Sequence, residues 1–186
     1  MTAPADSARG TVAVDYDPFA DAPLERVVPA SEAQREIWLA ARLEPSASLA
    51  YNESVTLHLS GALDVAALRS ALQGVLDRHD ALRGSFSTDG HQFYIAAAAE
   101  LAFAETDLSS LPESERSAAL DAILREAVET PFDLERAPLL RTRLLRLGAA
   151  EHVLLLSTHH IVCDGWSFGV IVRDLAGLYR AALLGE

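Results

Sequence analysis

The segment Thr158-His159-His160-Ile161-Val162-Cys163-Asp164-Gly165-Trp166-Ser167 carries the densest chemistry in this chain. A neutral imidazole can take a proton from an attacking nucleophile near neutral pH. It does so only when a neighbour fixes its tautomer and orientation. Two adjacent histidines on an extended backbone face opposite ways, so at most one of His159 and His160 enters a given cleft. Asp164 is near enough in sequence to organise the same loop. If buried, it needs a cationic partner, and Arg is the one strong choice available. Gly165 permits a tight turn or the close approach of a ligand.

On residue types alone, other readings stay open. Paired histidines beside an aspartate are often ordinary core or surface residues. His159, His160, Cys163 and Asp164 could ligate zinc, although adjacent ligands are strained and zinc-knuckle spacings are missing. Cys163 could act as a nucleophile with His160 as its base. The apolar flanks Ile161 and Val162 argue instead for a buried, unreactive thiol.

The elements that must position this segment follow from periodicity. Ser31 with Gln34 has the spacing of a capping box, and Ile37, Trp38 and Ala41 predict a helix ending before Pro45. Val55, Leu57 and Leu59 alternate with Thr56 and His58, predicting a strand over 51–59. Asp64 caps a second helix, with Leu68, Leu72, Val75 and Leu76 on one face, running to about His79. A short strand around Leu82–Phe86, a turn at Thr88-Asp89-Gly90 and a return strand over His91–Ala97 predict a hairpin. A strand over 101–108 precedes a third helix, capped between Ser109 and Glu113 and stopped by Pro131. Leu139–Leu147 and His152–Thr158 predict two strands. In the second, Val153-Leu154-Leu155-Leu156 has the unbroken apolar run of a strand covered on both faces. A last helix spans Trp166–Leu184, so the reactive segment connects a buried strand to a helix N-terminus, where backbone N–H groups point outward. Helices and strands mix without an internal repeat, as in an α/β (α+β layered) domain.

Composition narrows the function. The 186 residues suffice for one domain with a buried core. All 15 basic residues are Arg, which excludes lysine Schiff-base chemistry and the phosphate-loop lysine. A formal charge of -12 with no basic stripe argues against a nucleic-acid partner. The single Cys fits a reducing, cytoplasmic setting, and no apolar stretch approaches the ~20 residues of a membrane span. Residues 1–28, rich in Ala, Pro and Asp, are expected to be a partly disordered leader, with Asp17-Pro18-Phe19 able to dock locally; residues 29–186 are expected to form the domain.

Three segments occur in order: Ser31-Glu32-Ala33-Gln34-Arg35-Glu36-Ile37-Trp38-Leu39, Arg78-His79-Asp80-Ala81-Leu82-Arg83-Gly84-Ser85-Phe86, and the His159–Ser167 run. Together they resemble the first three core motifs of condensation domains of nonribosomal peptide synthetases. The His-His-x-x-x-Asp-Gly signature alone is shared with other acyltransferases of the chloramphenicol-acetyltransferase type. Glu36, Ala40, Asp80, Gly84, Thr158 and Cys163 depart from the usual family residues, but the central His, Asp and Gly are kept. The histidine pair argues against the heterocyclising subtype, and Phe168 weakens the epimerising one.

The resemblance implies a chloramphenicol-acetyltransferase-like lobe: a mixed sheet flanked by helices, half of a two-lobed domain whose C-terminal lobe closes a tunnel over the site. It implies amide formation between an acyl thioester and the amine of an aminoacyl group. Both would ride on phosphopantetheine arms of upstream and downstream carrier proteins, with no cofactor or metal bound by the lobe itself. His160 is the expected catalytic residue. His159, Asp164, Gly165 and Arg83 are expected to support the site, with Asp164 salt-bridged to Arg83 or, failing that, Arg78. Gly165 would leave room for substrate. Trp38 and Trp166 are expected to pack in the core or loop. The arginines at 35, 42, 141, 143 and 146 are most simply solvated, with a carrier-protein surface as the alternative. An epimerisation-type or ester-forming lobe and a non-catalytic docking lobe are the competing functions. The lobe alone is expected to be nearly inactive.

Overall fold

The structure, a computed structural model, describes residues 23–185. Residues 1–22, including the Asp17-Pro18-Phe19 segment, lie outside the described residues. The rest of the expected leader is not irregular: Leu24–Pro29 forms strand β1, paired antiparallel with a later strand. Its mostly exposed side chains give no alternating apolar signal. Backbone pairing and an ion pair from Glu25 to Arg83 hold it instead.

The main sheet comprises β2 (Asn52–Ser60), β5 (Ala102–Asp107), β6 (Leu140–Arg146) and β7 (Glu151–His159), in the order β2-β7-β6-β5. Only the β5–β6 pair is parallel, so the sheet is mixed, as expected. The central strand β7 is buried at every position after Glu151, which accounts for its unbroken apolar run. The smaller sheet has the order β1-β4-β3, with β3 (Gly84–Phe86) and β4 (Gln92–Ala96) forming the predicted hairpin. The first strand of that hairpin is shorter than expected. Asp80–Arg83 is a 3-10 turn, in which residues three apart eclipse, and Arg83 reaches back to Asp80 at 2.5 Å.

Among the described residues, five helices flank the sheets: α1 (Glu32–Leu43), α2 (Pro45–Leu49), α3 (Val65–Arg78), α4 (Glu113–Glu129) and α5 (Gly165–Leu184). Ser31 and Gln34 form the predicted capping box on α1, and Asp64 caps α3. Ser109 does not cap α4. Its hydroxyl and amide both donate to Asp107, and the helix starts after Pro112.

Two cores result. Leu68, Leu72, Val75 and Leu76 of α3 and Ile171 and Leu175 of α5 pack on Leu140, Leu144, Leu154 and Leu156 of the main sheet. Burying each such side chain contributes about 1.5–3 kcal/mol. The second core is aromatic, built from Phe86, Phe93 and Phe132 with Ile95, Leu134, Leu139 and Ile161. A Cβ at Gly84 would run into the Phe93 ring, which explains glycine at that position.

Candidate functional site

The segment after β7 is held by both cores. Ile161 sits in the aromatic core and Cys163 in the main one, so the intervening backbone is pinned on two sides. Gln34 Nε2 donates to the Ile161 carbonyl at 3.2 Å, tying α1 to this loop. His79 Nε2 contacts Asp174 of α5 at 3.0 Å, with Arg78 at 3.5 Å. The first sequence segment is therefore tied directly to the third, and the second to the helix that the third opens.

Strand register decides where each histidine points. In the β2–β7 pair, Asn52 stands opposite His159 and Glu53 opposite Thr158. The His160 amide extends the ladder by donating to the Tyr51 carbonyl at 2.8 Å. Residues 51, 53, 158 and 160 thus share one face, and 52 and 159 the other. Both faces of β7 are covered here, and His159 is completely buried, with its ring centroid 5.8 Å from that of Tyr51 and edge-on to Phe132. Its Nδ1 accepts the Ile161 N–H at 3.2 Å, so the proton of the neutral ring belongs on Nε2. That Nε2 is buried and lacks a hydrogen-bond partner among the described residues. Burial pushes its pKa down from 6.5 to about 4; the Ser48 backbone opposes the shift, and His160 adds a smaller push downward.

His160 is arranged the opposite way. Its side chain is 40% exposed and lies parallel to the Tyr51 ring, with centroids 6.5 Å apart. Its Nδ1 is 2.6 Å from Glu53 Oε1. Glu53 is the diagonal cross-strand neighbour of His160, the relationship that lets long side chains meet on a sheet. Sequence reasoning did not single it out, because β2 and β7 are far apart in the chain and no local turn sets their register.

The predicted supporting residues separate. Asp164 is exposed and pairs with no arginine among the described residues. It is the N-cap of α5, accepting from the Ser167 amide at 2.8 Å and hydroxyl at 2.6 Å. These bonds hold its carboxyl below the usual range. The expected partner, Arg83, is buried elsewhere. It donates to Glu25 at 2.7 Å, to Asp80, and to the Ala96 carbonyl. Arg78, the alternative, meets Asp174. The salt-bridge expectation fails because an exposed carboxylate at a helix N-terminus is satisfied by backbone and hydroxyl donors and needs no cation.

Gly165 opens α5 with ordinary backbone geometry, so no tight turn requires it. A Cβ there would meet nothing within 4 Å, leaving open space above the first turn. Cys163 is buried, and burial pushes its thiol pKa up, as an unreactive cysteine requires. Among the described residues, no group of three or more His, Cys, Asp or Glu side chains could hold a metal. No helix among them is long and apolar enough to cross a membrane. Trp166 is not a packing residue: it is 84% exposed in the first turn of α5. Trp38 is packed, with Arg42 over its ring and Gly90 against it.

Comparisons with known proteins identify the family and the fold. The family model described as "Condensation domain" matches residues 24–186. The chain is 43% identical over 175 residues to chondramide synthase of Chondromyces crocatus, covering 93% of this chain and 4% of the relative. It is 39% identical over 180 residues to a linear gramicidin synthase of Brevibacillus parabrevis, covering 96% of this chain and 2% of the relative. Among solved structures, the starter condensation domain of rhizomide synthetase superposes with a TM-score of 0.77 at 29% identity, covering 87% of this chain and 40% of that one. The first condensation domain of the calcium-dependent antibiotic synthetase gives 0.72 at 29% identity, covering 86% and 39%. The chain thus spans a small fraction of the curated relatives and about two fifths of the solved domains.

Proposed function

The chain belongs to the condensation-domain family and corresponds to the N-terminal portion of such a domain, and from that premise we propose that His160 is the base of an amide-forming site which a C-terminal lobe completes. The substrates are an acyl thioester and the amine of an aminoacyl group. Each is carried on the phosphopantetheine arm of a partner carrier protein, with no cofactor held by this lobe.

The observation that carries the reading is the His160 ring itself. One nitrogen is engaged by a carboxylate, and the other makes no hydrogen bond among the described residues. The amine nitrogen attacks the thioester carbonyl carbon, the C–N bond forms and the C–S bond breaks. The proton shed by the nitrogen passes to His160 Nε2 and from there to the departing sulfur, giving amide and free thiol. Aligning two tethered reactants contributes about 7–11 kcal/mol to lowering the barrier. General-base help at His160 adds about 10²–10⁴-fold. His159 and Asp164 act on the loop and the helix start rather than on substrate. Open space at Gly165 leaves room for a reacting group. Arg83 supports the site only through the fold of the smaller sheet.

The test combines this chain with the remainder of its condensation domain and two loaded carriers. Amide product is expected, and His160→Ala is expected to lower its rate by about 10²–10⁴-fold. Equal product from the variant would overturn the assignment of His160. Product from a hydroxyl acceptor but not from an amine would replace amide formation with ester formation. Absence of product with a correctly folded complex would favour a docking role.

A further inference from the structure

We infer that Glu53 is the positioning residue for His160, holding the imidazole proton on Nδ1 so that Nε2 presents a lone pair to the solvent side. The inference deepens the reading of His160 as a base and rests on it.

Three observations converge. The first is distance: Glu53 Oε1 lies 2.6 Å from His160 Nδ1, a charge-assisted length. A carboxylate can only accept, so the nitrogen facing it must donate. The second is exclusivity. The other oxygen, Oε2, is buried and has no partner among the described residues, so the one neighbour that answers this carboxylate is the imidazole. No arginine competes for it among the described ion pairs of Glu53. The third is rigidity. Asn52, immediately before Glu53, donates to the carbonyls of Val128 and Thr130, both at 2.8 Å, fastening the end of β2 to the end of α4. Tyr51 receives the His160 amide and lies parallel to its ring. The carboxylate and the ring are therefore held on one frame by backbone.

His159 supplies an internal contrast. Its Nδ1 accepts a backbone N–H, which forces the opposite tautomer on a ring one residue away. Such a ring carries its proton on Nε2 and cannot receive another there while neutral. The two histidines thus differ in tautomer as well as in direction, and only His160 combines exposure with a free basic nitrogen. As the amine proton arrives on Nε2, Glu53 faces the imidazolium that forms and stabilises it without itself taking the proton.

The test uses the complete condensation domain containing this chain, labelled with 15N-histidine. Nitrogen NMR is expected to report His160 as protonated on Nδ1 and His159 as protonated on Nε2. Glu53→Ala is expected to move the His160 proton to Nε2 and to lower kcat about 100-fold with KM little changed, within the range that general-base help spans. Glu53→Gln keeps an acceptor oxygen and is expected to retain the Nδ1 tautomer with a loss of about tenfold. A wild-type His160 carrying its proton on Nε2 would overturn the inference whatever the variants do. So would a Glu53→Ala protein that folds and keeps both tautomer and rate. If His160→Ala condenses normally while the Glu53-dependent tautomer is observed, the reading of His160 as base fails and the pairing itself stands.

Discussion

Arg83 Nη1 donates to Glu25 Oε2 across 2.7 Å, so a nearly buried cation in the second sequence motif reinforces the backbone pairing that holds strand β1 in the smaller sheet. Arg83 is 6% exposed, whereas the side chains of Glu25 and Asp80 are 47% and 37% exposed. The cost of breaking the set therefore depends on which partner is removed. Arg83→Met leaves the Ala96 carbonyl without its donor and is expected to cost about 2–4 kcal/mol. Glu25→Gln removes a half-solvated partner and is expected to cost about 0.5–1 kcal/mol. Urea midpoints of the single and double variants give the coupling. Coupling between positions 83 and 25, and none between 83 and 164, is expected. The reverse pattern would restore an Arg83–Asp164 bridge.

Asp164 as a cap predicts a particular order of variants. Asn is as good an N-cap as Asp, so Asp164→Asn is expected to leave the melting temperature close to that of the parent, while Asp164→Ala lowers it. A buried ion pair would make both variants severe. The carboxyl is held below its usual pKa by the Ser167 hydroxyl and amide, so its contribution is full above the unfolded pKa of 3.8 and fades as pH falls through the lower folded value. Thermal melts of parent and Asp164→Ala should therefore draw closer in strong acid, the carbonyl oxygen of the protonated carboxyl keeping part of the cap. A gap unchanged by pH would refute the share assigned to the carboxylate charge.

Much of this fold is written in local patterns, and what is missing is equally specific. The α1 capping box, the Asp64 cap and the apolar run of β7 depend on neighbours in sequence and could be read directly. Opposed directions for His159 and His160 follow from strand geometry alone, but which one is buried does not. That depends on Tyr51 and Phe132 closing around His159, since α3 and α5 pack on the face of Leu154 and Leu156, which His160 shares. Glu53 was illegible because its meeting with His160 is set by a register between strands that no hairpin joins. Strand β1 was illegible because its side chains stay in solvent, and a buried arginine far along the chain holds it. The failed Asp164–Arg83 pairing shows a third limit. A charged residue in a motif suggests an opposite charge nearby, but at a helix start one backbone amide and one hydroxyl satisfy it as well.

His159 makes stability depend on pH in a defined window. In the unfolded chain a histidine binds a proton near the ordinary value of 6.5, whereas the buried ring binds one only at about 4. Between these values the unfolded state holds more protons, so stability rises with pH there. The contribution is complete above 6.5, declines as pH falls toward about 4, and changes no further below it. His159→Phe keeps a ring against Phe132 and Tyr51 but cannot titrate. It is expected to flatten the slope in this window, while losing the acceptor for the Ile161 amide at a cost of about 1 kcal/mol. Urea midpoints across the window check this. An undiminished slope in the variant would mean that another group carries it.

The two tryptophans give the most direct measure of whether a second lobe covers the site. Trp166 is 84% exposed, more than any other large apolar residue described, and it stands in the first turn of the helix that Asp164 caps. An exposed indole of this size is the kind of surface that marks an interaction site, whereas scattered smaller apolar residues do not. Trp38 is shielded by Arg42 and by the turn at Gly90. In this chain acrylamide is therefore expected to quench one fraction of the tryptophan emission readily and the other poorly, and Trp166→Phe should remove the accessible fraction. Addition of the C-terminal lobe should protect Trp166 if that lobe closes over the start of α5 and the adjoining His160. If the accessible fraction survives in the assembled domain, the lobe docks elsewhere and the closed site proposed around His160 loses its roof.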